Sequence, residues 1–89
     1  MSNVFIAFQT NEDSRMVVEA ILDDNPNAVA VESPGMVKID APGRLTIKRE
    51  SIEERTGSRY DLQQIHINLI TLSGHIDEDD DQFTLSWKH

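Results

Sequence analysis

The stretch IHINLITLSGHIDEDDDQFTLSW, residues 65–87, combines an apolar-rich run, an acidic block and an alternating run. The apolar run ends at the turn signal Ser73-Gly74, and the acidic block occupies residues 77–81. The alternating run has apolar Phe83, Leu85 and Trp87 between polar Thr84, Ser86 and Lys88, and its aromatic residues Phe83 and Trp87 are predicted to belong to the core. Alternation with a period of two is typical of β-strands. The stretch therefore predicts two strands joined by a turn and a charged connector.

The first of these predicted strands has one apolar face and one mixed face, because neighbouring side chains along a strand point to opposite sides. The apolar set, which can serve the core, is Ile67, Leu69 and Thr71. The mixed set is His66, Asn68, Ile70 and Leu72. Aliphatic side chains beside polar ones would be unusual in solvent, as would a surface-facing Met36. We expect either a helix or a binding partner to cover them.

The first third of the chain predicts a strand followed by a helix. Residues 4–8, VFIAF, are apolar on both faces and predict a buried central strand. The helix is capped by Thr10 or Asn11 and ends near Asn25-Pro26, because proline disfavours a helical residue before it. Its buried side chains are predicted to be Met16, Val17, Ala20 and Ile21.

Three alternating segments follow the helix. Residues 28–32 and 36–40 flank the turn signal Ser33-Pro34-Gly35 and predict a hairpin. Its inward side chains are predicted to be Val29, Val31, Val37 and Ile39. The third segment, residues 44–49, places Leu45 and Ile47 inside. Its outer side is a basic row of Arg44, Lys48 and Arg49.

A short second helix is predicted from the capping-box pattern S-x-x-E at residues 51–54, with Gly57 at its end. Asp61 can cap a further turn before the apolar stretch. The order of elements is then strand, helix, strand, strand, repeated once. It predicts an α+β fold of two β-α-β-β-like halves, mostly antiparallel, with two to three short helices and a single domain over residues 1–89.

Composition narrows the possible functions. The net charge of −8 argues against nucleic-acid binding, because phosphate contacts need clustered bases. Six of the eight bases lie within residues 38–59, an asymmetry that suits docking by complementary fields or serves solubility alone. There is no cysteine for a disulfide or thiolate site. The apolar run at residues 4–8 is too short for a signal peptide or membrane span, which predicts a cytoplasmic protein.

The sequence contains no recognisable catalytic constellation. His66 and His75 are nine residues apart, which is no known ligand spacing, and His89 is terminal. The acidic block lacks the spacing of a calcium-binding loop, and the four glycines are scattered rather than gathered around a phosphate. We therefore expect a protein without enzymatic activity, metal or cofactor.

Several segments together resemble the small regulatory, or effector, proteins of bacterial multicomponent di-iron monooxygenases, and most closely the regulatory subunits of phenol hydroxylases. The segments are VFIAFQ at residues 4–9, DNPNAV at 24–29, ITLSGHI at 70–76 and DEDDDQFTLSWK at 77–88. The resemblance extends over essentially the whole chain. It implies a cofactor-less protein that binds the di-iron hydroxylase, tunes its active-site geometry and substrate access, and raises the coupling of NADH oxidation to aromatic hydroxylation.

The resemblance also implies which residues meet the partner. In the methane monooxygenase member of that family, the strand corresponding to residues 68–74 lies at the hydroxylase surface. Asn68 and Gly74 match that member, whereas Ile70 and Leu72 stand in place of small polar residues. The expected contacts are Asn68, Ile70, Thr71, Leu72, Ser73 and Gly74, with Arg44, Lys48 and Arg49 as orienting charges. A separate flavin and iron–sulfur reductase is expected to supply electrons.

Two other classes of function share the predicted layout. A small-molecule-binding regulatory domain of the ferredoxin-like or ACT kind would be α+β and would also lack catalytic residues, but it would need a ligand pocket at a strand edge or dimer interface. A small enzyme such as an isomerase would need a paired acid and base, which the sequence does not supply.

Overall fold

In the computed structural model, which describes residues 3–87, seven strands and three α-helices follow one another along these residues. They are β1 (Asn3–Gln9), α1 (Glu12–Asp24), β2 (Val29–Ser33), β3 (Met36–Pro42), β4 (Arg44–Lys48), α2 (Arg49–Thr56), α3 (Ile65–Asn68), β5 (Leu69–Ser73), β6 (His75–Glu78) and β7 (Gln82–Ser86), with a 3₁₀ turn at Leu62–Gln64 before α3. Every strand pair is antiparallel. The predicted α+β class is confirmed.

The strands form two sheets. The first, sheet A, has the order β2-β3-β1-β5, and the second, sheet B, has the order β4-β7-β6. The prediction that residues 4–8 form a central strand is confirmed, since β1 lies between β3 and β5. The acidic block is more than a connector, because its first two residues belong to β6, where Asp77 pairs with Thr84 and Glu78 with Phe83.

One hydrophobic cluster connects both sheets and the two longer helices. Its fully buried members include Ile6 of β1, Ile39 of β3, Leu45 of β4 and Phe83 of β7. The helices add Val17, Val18, Ala20 and Ile21 from α1 and Ile52 from α2. The two sheets therefore share a single core.

Helix α1 is capped by Asn11, one of the two predicted capping residues, and its buried face differs slightly from the predicted one. The side chain of Asn11 accepts a hydrogen bond from the backbone N–H of Ser14 at 2.9 Å, and Asn25 ends the helix. The buried side chains include Ser14, Val17, Val18 and Ile21, which follow the spacing of one helical face. Met16 lies at the border of this face, so its predicted burial is only partial.

The prediction that Val29 and Val31 face inward is wrong. They are 61% and 50% exposed, whereas their predicted partners on β3 are buried. The turn between the strands contains two residues, Pro34-Gly35, so odd-numbered residues of β2 lie opposite even-numbered residues of β3. Val31 consequently lies opposite Lys38, on the outer face of sheet A.

Helix α2 begins earlier than its predicted capping box. It starts at Arg49, and Ser51 lies inside its first turn rather than at its cap. The backbone N–H of Arg49 instead donates to the carbonyl of Asp81 at 2.9 Å, so the β6–β7 turn provides an acceptor for the helix start. The predicted end is confirmed, because Gly57 has a φ of 74° and its N–H donates to the carbonyl of Glu53.

Two further predictions about the last strand need correction or lie outside the structure. Trp87 was predicted to belong to the core but follows the end of β7 and is 39% exposed. Its indole Nε1–H donates to the carbonyl of Asn3 at 3.2 Å, so the ring lies over the start of β1. Lys88 and His89 lie outside the described residues. Among residues 3–87, no helix has the length and apolar character needed to cross a membrane.

Candidate functional site

The chain from α3 to β5 exposes two large aliphatic side chains, Ile67 and Ile70. Residues 65–68 were predicted to begin a long strand but form one helical turn. Ile65 points into the core, and Ile67 is 74% exposed, the largest exposure among the large hydrophobic side chains described. Ile70, on the following strand, is 46% exposed. The prediction that Ile67 belongs to the core face is therefore wrong.

A β-bulge at Ile70 explains why the predicted faces of this strand do not hold. Leu69 pairs with Phe8 and Thr71 pairs with Ala7, so Ile70 is one extra residue between two consecutive partners. The extra residue reverses the alternation. Leu69 therefore packs against the core, as predicted, while Thr71 of the same predicted set is exposed.

The bulge also separates Ile70 from Leu72, which were predicted to share one face. Leu72 lies opposite the fully buried Ile6 and packs against the core cluster. Of the two aliphatic side chains, Ile70 is the more exposed. Leu72 is partly buried and therefore offers less surface to a partner than Ile70, and Ile67 is a further exposed aliphatic side chain of this segment.

Two polar contacts fix α3 from opposite sides. On one side, His66 Nε2 lies 3.2 Å and 3.3 Å from the two carboxylate oxygens of Glu78 on β6. On the other, Asn11 Nδ2 donates to Asn68 Oδ1 at 2.9 Å, which connects the end of α3 to the cap of α1. The exposed Ile67 thus lies on a turn that is held at both ends.

The remaining predicted residues of this segment lie along the edge of sheet A. Thr71 is exposed opposite Ala7, and Ser73 is half-buried opposite Phe5. Gly74, with a φ of 138°, is the single residue between β5 of sheet A and β6 of sheet B. We call residues 67–74 the recognition segment.

The structure does not bring the predicted basic residues into this segment. Arg44 and Lys48 are exposed on β4, which belongs to sheet B, where β7 separates it from β6. Arg49 is the first residue of α2, and its Nη2 lies 2.7 Å from Asp81 Oδ1. Arg49 therefore pairs within the chain, and Arg44 and Lys48 form a separate charged row.

The acidic residues that follow β6 build a turn. Asp79 Oδ1 accepts hydrogen bonds from the backbone N–H groups of Asp81 and Gln82, each at 2.8 Å. The carbonyl of Asp81 then receives the N–H of Arg49. These contacts give the block a structural role in joining the β6–β7 turn to α2.

The described residues form a charged cleft but no cluster of metal-ligating side chains. Residues 3–87 contain no group of three or more His, Asp or Glu side chains placed to hold a metal ion. A cleft of about 720 Å³ opens between α2 and the β6–β7 turn, lined mainly by charged and polar residues such as Arg49, Arg59, Asp61 and Asp80. Burial, followed by the charges of Asp13 and Asp61, raises the pKa of Tyr60, which lines this cleft, to about 12. The exposed recognition segment is suited to binding.

The sequence held a signal for the position of Ile67 that the strand interpretation missed. Leu62 and Ile65 are both buried and are three residues apart, which is helical spacing. Asp61 caps the 3₁₀ turn by accepting from the backbone N–H of Gln63 at 3.0 Å, as predicted for a further turn. A helical turn that continues from this cap places Ile67 on the surface.

Comparisons with known proteins give a consistent result. The model of the MmoB/DmpM family matches residues 2–86. The chain is 50% identical over 88 residues to "Phenol 2-monooxygenase, stimulatory component DmpM" of Pseudomonas sp. (strain CF600), covering 99% of this chain and 98% of the relative.

The solved structures extend this result. A chain from a structure of a phenol hydroxylase–regulatory protein complex superposes with a TM-score of 0.94 at 47% identity, covering 98% of this chain and 100% of that one. A second such structure gives 0.90 at 44%, covering 97% and 100%. The soluble methane monooxygenase regulatory protein B shares the fold, with a TM-score of 0.76 at 17% identity over 97% of this chain and 65% of that one.

Proposed function

Because the chain belongs to the MmoB/DmpM family, we propose that it is the regulatory subunit of a multicomponent phenol hydroxylase. In this role it binds the di-iron hydroxylase component and tunes active-site geometry, substrate access and the coupling of NADH oxidation to aromatic hydroxylation. The observation that carries the proposal is the 50% identity over 88 residues to a phenol 2-monooxygenase stimulatory component, which covers almost all of both chains. The subunit itself is not catalytic.

The mechanism is a shift between conformations of the hydroxylase. A protein without catalytic groups can change a partner's activity only by binding one of its conformations more tightly than another. A tenfold shift requires about 1.4 kcal/mol of differential affinity. A few well-buried side chains at an interface can supply that amount.

The recognition segment provides suitable side chains. Ile67 and Ile70 are exposed aliphatics, and each can lose water-accessible apolar area on binding. Thr71 and Ser73 offer hydroxyl groups beside them. Asn68 is already bonded to Asn11, so its role includes holding the segment. Gly74 gives the strand its exit to sheet B, and Leu72 supports the segment from the core side.

The charged row on sheet B has a supporting role in the proposal. Arg44 and Lys48 are exposed and carry positive charge in a chain of net charge −8. Such a row orients an encounter through long-range fields and adds little affinity of its own. Arg49, the third predicted orienting charge, is paired with Asp81 in the free protein.

The wider assignments belong to the same proposal. A separate reductase passes electrons to the hydroxylase, and the complex works in the cytoplasm. The alternative of an ACT-type ligand-binding domain rested on the α+β layout, whereas the family match covers residues 2–86. In this proposal residues 1–89 form one domain.

A reconstitution tests the proposal. The protein is titrated into purified phenol hydroxylase and reductase with phenol and NADH, and both product and NADH oxidation are measured. We expect product formed per NADH to rise with added protein and to level off near the concentration of hydroxylase active sites. A flat ratio from zero to equimolar protein contradicts the proposal, and heat-denatured protein is the control.

A further inference from the structure

The contact between His66 and Glu78 closes the chain into a loop that contains the recognition segment. His66 lies on α3 immediately before the segment, and Glu78 lies on β6, twelve residues later. The two side chains meet at 3.2 Å and 3.3 Å. No other hydrogen bond between side chains of the described residues joins α3 to sheet B.

The path of the chain explains why the contact between His66 and Glu78 can restrict the recognition segment. The chain leaves sheet B after β4, adds the edge strand β5 to sheet A, and returns to sheet B as β6. The recognition segment therefore crosses between the sheets, and β5 is fixed on one side only, by β1. The bulge at Ile70 interrupts that single ladder. The contact between His66 and Glu78, which we call the tie, lies at the base of the loop and limits how far the recognition segment can move.

The partly exposed environment of His66 and Glu78 suits a hydrogen bond that holds the recognition segment in place but adds little to the free energy of unfolding of the protein. The side chains of His66 and Glu78 are 42% and 22% exposed, so the contact is partly screened by water. The imidazole ring also lies edge-on to the buried Phe83, with 5.9 Å between ring centroids. This second contact fixes the ring so that Nε2 points at the carboxylate.

We infer that His66 and Glu78 are positioning residues, which hold the exposed Ile67–Ile70 turn in the conformation that the hydroxylase binds. The inference rests on the proposed function. A segment held in its bound shape loses less conformational entropy on association. Loss of the tie should therefore weaken binding and leave the effect of the bound protein unchanged.

The test is a double-mutant cycle in the reconstituted hydroxylase, read as the concentration that gives half-maximal stimulation and, separately, as the maximal stimulation. The variants are His66→Leu, which keeps the packing on Phe83, Glu78→Ala, and the two combined. His66→Gln retains an N–H donor and serves as the rescue. His75→Leu is the control, since the His75 side chain makes no hydrogen bond within residues 3–87.

We expect each single variant to raise the half-stimulating concentration about two- to fivefold, the range of a partly exposed pair. The combined variant should be no worse than either one, His66→Gln and His75→Leu should stay near the wild type, and maximal stimulation should be preserved. Effects that multiply in the combined variant, or single variants at the wild-type value, overturn the inference.

A second measurement separates this inference from the proposed function. Amide hydrogen exchange of the isolated protein should be faster at residues 67–71 in Glu78→Ala than in the wild type, with the other strands unchanged. If amide exchange in the recognition segment is the same in Glu78→Ala and the wild type, the inference fails, even if the protein stimulates the hydroxylase. If the wild type fails to stimulate, the proposed function fails, while the exchange result still decides whether the tie holds the segment. Glu78→Ala alone decides the case if His66→Leu loses its native circular dichroism.

Discussion

Gly74 and Val4 meet at the junction of the two sheets, where a β-carbon built on Gly74 would lie 3.0 Å from Val4 Cγ1. The same β-carbon would lie 3.5 Å from Cβ of Leu85, so the residue is enclosed by one side chain from each sheet. Its φ of 138° adds a second requirement, because side chains other than hydrogen rarely adopt that backbone conformation. Only glycine meets both requirements at this crossing.

Gly74→Ala is expected to destabilise the fold by about 2–5 kcal/mol, the sum of backbone strain and overpacking against Val4. The matched control is Gly35→Ala, whose φ is 76° and which has nothing within 4 Å of the added carbon, so strain alone costs about 1–2 kcal/mol. Urea unfolding followed by the fluorescence of the single tryptophan, Trp87, measures both. Equal losses for the two variants would show that the contact with Val4 is not important.

The positions at which sequence reasoning succeeded are those where one local signal is sufficient. The apolar run of β1, the Asn11 cap, the break at Asn25-Pro26 and the Gly57 terminator each depend on neighbouring residues only. The prediction that Val29 points inward was wrong because the direction of this side chain depends on the register of β2 against β3, which the number of residues in the turn determines. A hydrophobic pattern cannot fix that register by itself.

The candidate site was harder to predict for the same reason. Alternation along the segment assigned Ile67 and Thr71 to the core, but a helical turn and then a bulge changed the phase twice. Bulges arise from pairing with a distant strand, here β1, and leave no local signature. The sequence left open whether a helix or a partner covers Ile70, and the structure leaves it 46% exposed. The separation of Arg44 from the segment required knowledge that the chain forms two sheets.

Asn25 supports the edge of sheet B, and its isosteric replacement by aspartate should be costly. Its Nδ2 donates to the carbonyls of Ile21 and Thr46, each at 2.7 Å, and its Oδ1 accepts from the N–H of Thr46 at 3.0 Å. In Asn25→Asp a carboxylate faces both carbonyls, and we expect a loss of about 2–4 kcal/mol in urea unfolding. Asn27→Asp adds the same charge at an exposed position and should be nearly neutral. Similar losses for both would contradict the prediction.

The acidic turn provides a pair of variants that remove the same charge with different consequences. Asp79→Ala eliminates two hydrogen bonds of 2.8 Å to the backbone of the β6–β7 turn and should destabilise the protein by about 1–2 kcal/mol. The side chain of Asp80 makes no hydrogen bond within residues 3–87, so Asp80→Ala should not lower stability. Thermal unfolding distinguishes the two. If both variants behave alike, net charge rather than the turn governs stability in this block.

The raised pKa of Tyr60 predicts how the stability of the protein depends on pH in the alkaline range. Burial and the charges of Asp13 and Asp61 raise its pKa from 10.0 to about 12, so the folded state favours the neutral phenol. The contribution to stability is complete below pH 10 and is lost as the pH rises from 10 toward 12. The stability of Tyr60→Phe should therefore fall less steeply than that of the wild type over this range. Because Tyr60 is the single tyrosine, tyrosinate absorbance reports its titration directly, and a native midpoint near 10 would refute the shift.

Substitutions in the recognition segment provide the sharpest functional prediction. Ile67→Asp and Ile70→Asp place a charge where apolar area should be buried, so each is expected to raise the half-stimulating concentration at least about tenfold, or 1.4 kcal/mol. Both side chains are exposed in the free protein, so circular dichroism should stay native. Val31→Asp is the matched control, being a half-exposed aliphatic on the opposite edge strand of the same sheet. An equal loss of stimulation in Val31→Asp would move the contact to the outer face of sheet A, and unfolding of Ile70→Asp would show that the bulge needs Ile70 for stability.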